Sequence, residues 1–229
     1  MSLFQTVEIA CPECGEKTEF GVNYSINADR RPDFREAILK GTFQRKACGK
    51  CSHSFRMEPQ LTYLDTRRGQ LILVMPNGEV GDWDALEEAA TAIHTEMFGP
   101  NSADQAQAIG KKLKIRVCFG WAALREKLLC RENGIDDADL ELAKLAILAT
   151  AGDSPLSDRS ELRLGAVEAG ELVLGWISTS NEMVLETIRV PKQLLADIAA
   201  DPAAWKAPRE QLTAGPYVDY QRLLVPAAG

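Results

Sequence analysis

Alternating apolar and polar residues predict several short strands in the first two thirds of the chain. Residues 20–26 alternate and indicate one strand. Two alternating runs at 60–64 and 70–75 flank the turn-forming residues 65–69 and predict a β-hairpin. A further alternating run at 113–119 predicts another strand.

Apolar residues at helical spacing predict helices between these strands. The predicted segments are 32–41, 82–99, 121–132 and a helix that begins at Asp136. Pro32 suits the first turn of the first helix, and Asp82 is a candidate cap for the second. Asp136 and Asp137 are placed to favour the positive end of the last helix.

The last third of the chain has a different pattern. Alternating runs at about 161–167, 171–178 and 183–190 predict an antiparallel meander, and a helix is predicted over 191–200. Residues 152–157 combine Gly, Pro and capping residues and predict a linker. We therefore expect two units, at 1–151 and 158–229. The apolar tail either lies across the protein's own surface or offers a docking strip for another chain.

Four of the six cysteines form two C-x-x-C pairs. Two-residue spacing lets both thiolates of a turn face one ion, so Cys11, Cys14, Cys48 and Cys51 are predicted to hold one structural Zn²⁺. A glycine in or beside each turn is expected to supply the positive φ. An iron–sulfur cluster, a redox-active C-x-x-C and two local disulfides are the competing interpretations.

Lysines near the cysteine pairs are candidates to balance the charge of this site, and the two histidines are considered as further ligands or catalytic residues. Lys17, Lys46 and Lys50 could partly offset the charge of −2 expected for Zn²⁺ with four thiolates. His53 follows Cys51 closely, but with four cysteines present it is interpreted as exposed or supporting. His94 is expected on the surface or in the core of its helix.

Residues 5–150 resemble the CpXC domain, a bacterial and archaeal family named after its Cys-Pro-x-Cys motif. The resemblance runs through the first cysteine pair, the helix-like segment 32–41 and the second pair, where Gly49 and Ser52 replace the usual proline and glycine. It continues in 116–120, 124–127 and 134–144. It implies a zinc-binding fold and assigns no activity.

Together these patterns predict an α+β fold. A four-cysteine zinc-ribbon domain contains an inserted strand and helix, and a small antiparallel sheet with a helix follows it. The 33 residues between the pairs are enough for the inserted elements. Cys118 and Cys130 are expected to be buried small hydrophobes.

The net charge of −7 disfavours binding to phosphate backbones or anionic lipid. Residues 1–70 carry 11 Lys and Arg against 9 Asp and Glu, so the zinc-binding part is only slightly basic. No apolar run is long enough for a membrane helix, and we expect a cytoplasmic protein that does not bind membranes.

The leading functional hypothesis is a non-enzymatic module that binds another protein, as an adaptor or a stoichiometric inhibitor of the immunity-protein type. The first alternative is a nucleic-acid-binding or transcription-associated zinc ribbon that uses a patch of arginines. Its candidates are Arg30, Arg31, Arg35, Arg67 and Arg68. The second alternative is an enzyme in which carboxylates meet in a cleft. Its candidates are Asp65, Asp136, Asp137 and Asp139.

Overall fold

The computed structural model describes residues 4–150 and 159–224, which form an α+β fold, as predicted. The strands are β1 (Phe4–Ala10), β2 (Lys17–Asn23), β3 (Ser25–Asn27), β4 (Arg45–Ala47), β5 (Ser54–Arg56), β6 (Leu61–Asp65), β7 (Gln70–Met75), β8 (Lys114–Phe119), β9 (Ser160–Glu168), β10 (Glu171–Ser178) and β11 (Val184–Pro191). The helices are α1 (Pro32–Leu39), α2 (Trp83–Phe98), α3 (Asp104–Gly110), α4 (Gly120–Glu132), α5 (Asp137–Thr150), α6 (Gln193–Ala200) and α7 (Lys206–Leu212).

The strands form four sheets. β1 pairs with β2, and β4 pairs with β5, as two separate antiparallel hairpins. A central sheet has the order β3-β6-β7-β8, in which the β6–β7 hairpin is flanked by a parallel strand on each side. The remaining sheet is the antiparallel meander β11-β10-β9.

The predicted hairpin at 60–75 and the strand at 113–119 are confirmed as β6, β7 and β8. The single strand predicted over 20–26 is instead two strands. After Asn23 the chain leaves the β1–β2 hairpin, and the Tyr24 carbonyl accepts from the Thr62 N–H at 3.0 Å. The inserted strand therefore joins the central sheet, because β3 pairs in parallel with β6.

The four helices predicted before residue 151 are confirmed as α1, α2, α4 and α5. Asp136 is the expected cap, since its Oδ1 accepts from the Ala138 N–H at 2.9 Å. Asp82 makes no such bond, because a 3₁₀ turn at Asn77–Asp82 leads directly into α2. The seven-residue helix α3 was not predicted. Within the described part of the chain, no helix combines the length and apolar character needed to cross a membrane.

Three groups of buried side chains hold the elements together. One lies between the central sheet and helices α1 and α4 and includes Ile38, Ile72 and Leu124. A second lies between the other face of that sheet, α2 and the tail, where the Phe119 and Tyr217 rings meet edge to face at 5.2 Å. Both faces of the central sheet are therefore covered.

The third group joins the two predicted units. Leu142 of α5 and Leu174 of β10 are fully buried in the same cluster, together with side chains of α6 and α7. The meander is confirmed, and α6 begins two residues after the predicted start at Pro191. The predicted linker at 152–157 lies outside the described residues.

The tail packs on its own chain. Tyr217, Val218 and Tyr220 are at most 1% exposed, and the Tyr217 N–H donates to Glu87 of α2 at 2.6 Å. Arg222 also pairs with Glu87 at 2.6 Å. Of the two expectations for the tail, the structure shows the first.

Candidate functional site

The first C-x-x-C pair lies in the turn between β1 and β2. The Cys11 N–H donates to the Glu16 carbonyl at 2.8 Å, and the Gly15 N–H donates to the Cys11 carbonyl at 2.9 Å. Gly15 has φ of +70°, the left-handed conformation that glycine adopts without a steric penalty. The predicted positive φ at the glycine is confirmed, and the turn closes around both cysteines.

The second pair lies in the turn between β4 and β5 and repeats this backbone pattern. The Cys48 N–H donates to the His53 carbonyl at 2.9 Å, and the Ser52 N–H donates to the Cys48 carbonyl at 3.0 Å. The left-handed residue here is Ser52, with φ of +61°, and not the expected Gly49. The position after the second cysteine carries the positive φ in both turns, so a serine bears backbone strain in the second one.

The two turns bring the four sulfurs together. Cys11 Sγ lies 3.7 Å from Cys51 Sγ, and Cys14 Sγ lies 3.7 Å from Cys48 Sγ. All four sulfurs lie within 4.8 Å of one another. In a tetrahedron with Zn–S bonds of about 2.3 Å, the sulfurs are about 3.8 Å apart. The cysteine geometry therefore fits a four-coordinate metal ion.

The chemistry of these thiols also suits metal binding. Backbone hydrogen bonds from Cys51 and Lys50 to the Cys48 sulfur lower the pKa of Cys48 to about 6. At Cys51 a backbone hydrogen bond from His53 lowers the pKa, but burial and the neighbouring thiols together raise it to about 12. Without metal, Cys48 therefore loses its proton far more readily than Cys51. A bound metal ion would displace the protons that remain on the other thiols.

The charged neighbours of the cluster are largely engaged elsewhere. Lys17 and Lys50 pair with glutamates at 2.7 and 3.4 Å, and Lys46 donates to a backbone carbonyl. Because each lysine already has an acceptor, it can offset only part of the charge expected for a loaded site, in keeping with the partial offset predicted from the sequence. His53 is exposed and stacks against Phe55, and it does not belong to the four-residue cluster.

The candidate carboxylates Asp65, Asp136, Asp137 and Asp139 do not form a shared site with one another. Asp65 pairs with Arg68 at 3.0 Å, and Asp139 pairs with Arg209 at 2.5 Å. Lys114 lies 3.1 Å from Asp136 and 2.8 Å from Asp137. Asp137 also pairs with Arg116 at 2.5 Å. Each carboxylate thus has a cationic partner.

A larger charged cluster, the buried ionic network, was not predicted. Its members are Glu126, Lys127, Asp137, Glu141, Lys144, Glu161, Arg163 and Asp219. Lys144 Nζ lies 2.6 Å from Glu126 Oε1 and 3.0 Å from Glu141 Oε2. Arg163 lies 2.7 Å from Glu161 and 3.2 Å from Glu126, and it also pairs with Asp219. The network links α4 and α5 to β9 and the tail.

Backbone groups complete the network. The Leu164 N–H of β9 donates to Glu126 at 2.5 Å, and the Tyr220 N–H of the tail donates to Glu141 at 3.1 Å. Burial raises the pKa of Glu141 to about 7, although Lys144 opposes this shift. Carboxylates of Glu126, Glu141 and Asp219 are close enough to share a metal ion, but lysine and arginine side chains already balance them. The network is a structural feature of the core.

A known protein family matches more than half of the chain. The model of the family described as CpXC protein matches residues 9–144, which include all four clustered cysteines and helices α1 to α4. No curated protein matches the chain, and no solved structure matches it.

Proposed function

The chain belongs to the CpXC protein family, and from this premise we propose that it is a cytoplasmic protein-binding module built on one structural zinc ion. The sulfur separations of 3.7 Å support the zinc assignment, because they are close to the edge of about 3.8 Å expected for a tetrahedral Zn²⁺ site. Four thiolates fill that coordination, so the ion joins two hairpins and stabilises the fold. A reducing cytoplasm keeps such thiols available for metal.

Metal analysis of the purified chain tests the zinc assignment. We expect one zinc per chain, and we expect Cys14→Ser and Cys48→Ser to lower stability and cause aggregation because folding energy from the metal is lost. Cys118→Ser is the control for metal content and is expected to retain one zinc, since this cysteine lies outside the cluster. A stable Cys14→Ser variant that retains one zinc would contradict the four-ligand assignment.

The protein-binding proposal rests on the outer edge of β11. This strand ends the meander, and no other strand in the described ranges pairs with its outer edge. Val184 and Leu185, the first two residues of β11, are 58% and 56% exposed, and Met183 just before the strand is 61% exposed. An open apolar strand edge is a template for an added strand from a second protein.

The opposite edge of the same sheet differs. Along β9 the Leu162 N–H donates to the Tyr220 hydroxyl at 3.0 Å, and the Leu164 N–H donates to Glu126. Arg125 also donates to the Gly165 carbonyl at 3.1 Å. Side chains therefore satisfy the outer backbone groups of β9, which favours β11 as the docking edge.

Affinity capture with the intact chain tests this proposal. From a nuclease-treated lysate of the source cells, the wild-type chain is expected to capture a protein partner in near-stoichiometric amount. Leu185→Lys is expected to lose this partner, because it places a charge in the apolar contact. Ile109→Lys is the matched control, since Ile109 is 37% exposed on α3. Equal capture by both variants, or loss of every partner on nuclease treatment, would refute the proposal.

The arginine positions give less support to nucleic-acid binding. Arg31 pairs with Asp33 at 2.7 Å and lies over the Phe34 ring, and Arg67 and Arg68 likewise pair with carboxylates. Arg35, which is 6% exposed, lies 3.3 Å from Glu132. Arg30 alone of the five candidates has no ion pair among the described residues, and arginines that are already neutralised contribute little to phosphate binding.

A further inference from the structure

A cavity of about 260 Å³ lies between the central sheet and helices α4 and α5. Part of its wall is apolar and is formed by Ile72, Cys130 and Ile135. Its charged lining side chains are Lys114, Arg116, Lys127, Arg131, Asp136 and Asp137. Four cations against two carboxylates favour an anionic ligand. This volume is slightly below the about 300–1,000 Å³ of common ligand pockets, so the cavity suits a small ion better than a larger organic molecule.

Two groups in the lining have unused binding capacity. The Arg131 Nε donates to the Arg68 carbonyl, but no carboxylate of the described residues forms an ion pair with its guanidinium. Gln70 is 7% exposed, and its Nε2 donates to the Lys127 carbonyl at 3.2 Å. Its buried Oε1 accepts no hydrogen bond from any residue that the structure describes. Most buried amide oxygens have a partner, so this one indicates a missing donor.

The other cations of the cavity are already balanced. Lys114, Arg116 and Lys127 lie 2.8, 2.5 and 3.4 Å from Asp137. These three cations are therefore committed to carboxylates, and Arg131 is the lining cation that can form a new ion pair. The free acceptor of Gln70 requires a ligand that also donates a hydrogen bond.

We propose that this cavity binds a small anion that carries a hydrogen-bond donor, with its negative group at Arg131 and its donor at Gln70 Oε1. Monohydrogen phosphate has both features in one ion. Sulfate has the same shape and charge but no proton to donate near neutral pH. Comparing the affinities for phosphate and sulfate therefore separates recognition of the hydrogen-bond donor from simple attraction to positive charge.

Calorimetric titration of the zinc-loaded full chain with inorganic phosphate and with sulfate, at constant ionic strength, tests the proposal. Phosphate is expected to bind about tenfold more tightly, because sulfate leaves the buried acceptor unpaired. Arg131→Gln is expected to weaken both anions about tenfold. Lys111→Gln makes the same charge change at an exposed position outside the cavity and is expected to leave both affinities unchanged.

Gln70→Met then tests the acceptor, with circular dichroism as the check that the variant is folded. It is expected to bind phosphate and sulfate equally. The proposal is overturned by an absence of saturable phosphate binding up to about 20 mM, by equal affinity of the wild type for the two anions, or by equal effects of Arg131→Gln and Lys111→Gln. Because Arg131 is exposed, its variant keeps the test valid even where Gln70→Met fails to fold.

Discussion

Replacing Arg163 by methionine should strongly destabilise the protein, because this side chain is the centre of the buried ionic network. Arg163 is 1% exposed and pairs with Glu126, Glu161 and Asp219, none of which is more than 2% exposed. Methionine fills similar space but leaves three carboxylates without their shared cation. Removing one partner of a buried ion pair costs about 3–5 kcal/mol, and we expect a loss of that size at pH 8.

The loss should depend on pH in a definite direction. Without Arg163, burial is expected to raise the folded-state pKa of Glu161 further above its unfolded value, because no other cation of the described residues pairs with this carboxylate. A folded state that binds more protons loses stability as pH rises through the raised pKa. The difference in free energy of unfolding between wild type and Arg163→Met should therefore be larger at pH 8 than at pH 5.

Urea unfolding followed by tryptophan fluorescence measures this difference, since Trp176 is buried beside Leu162 in the same sheet. The matched control is Arg189→Met on β11, where the arginine pairs with Glu168 at 3.0 Å but is half exposed. Solvent screening makes such a surface pair weak, so the control should unfold at nearly the wild-type urea concentration. Equal midpoints for the two variants, or a loss for Arg163→Met that is the same at both pH values, would refute the role given to the network.

Three further predictions concern the metal-binding turns and Glu141. Ser52→Gly should stabilise the zinc-loaded chain by about 0.5 kcal/mol, because glycine relieves the left-handed strain. Gly15→Ala should destabilise it by about 1 kcal/mol, because alanine introduces the same strain. Thermal unfolding measures both changes, and changes of the opposite sign would disprove the strain argument. Removing zinc with a chelator should speed amide hydrogen exchange in residues 4–23 and 45–56 more than in the central sheet. Mass spectrometry measures this exchange, and an equal increase in both regions would contradict the prediction. Because the folded pKa of Glu141 is raised from 4.5 to about 7, its contribution to stability falls as pH rises between these values. Glu141→Gln should flatten the unfolding free energy across that interval, and an unchanged slope would count against the shift.

Local spacing made part of this molecule predictable. The two C-x-x-C pairs specified which four side chains would meet, and alternation around 65–69 specified the β6–β7 hairpin. Turn geometry was less predictable, because the strained residue of the second turn is a serine and glycine is the residue usually expected there. A sequence pattern identifies favourable choices, whereas strain is visible only in backbone angles.

The buried ionic network was beyond such reasoning. Glu141 and Lys144 are three residues apart on a helix, a spacing that usually indicates a solvated surface pair. Glu161 and Arg163 alternate with leucines and look like the exposed face of a strand. Both faces of β9 are buried because α4 and the tail, through Asp219, cover the side that carries the charges. This arrangement joins residues far apart in the chain, which local periodicity does not encode.

The positions of the metal ligands and of the ionic network along the chain have a consequence for synthesis on the ribosome. All four clustered cysteines have been made once residue 51 is complete, so this site can capture an ion while most of the polypeptide is still unmade. Arg163 and Asp219 come much later, and until both emerge the ion pairs within α4 and α5 lack the partners that complete the network, so Glu126 is without one of its two cations. The protein is therefore expected to acquire its metal early and to complete the buried ionic network last, with the α4–α5 segment hydrated in the interval.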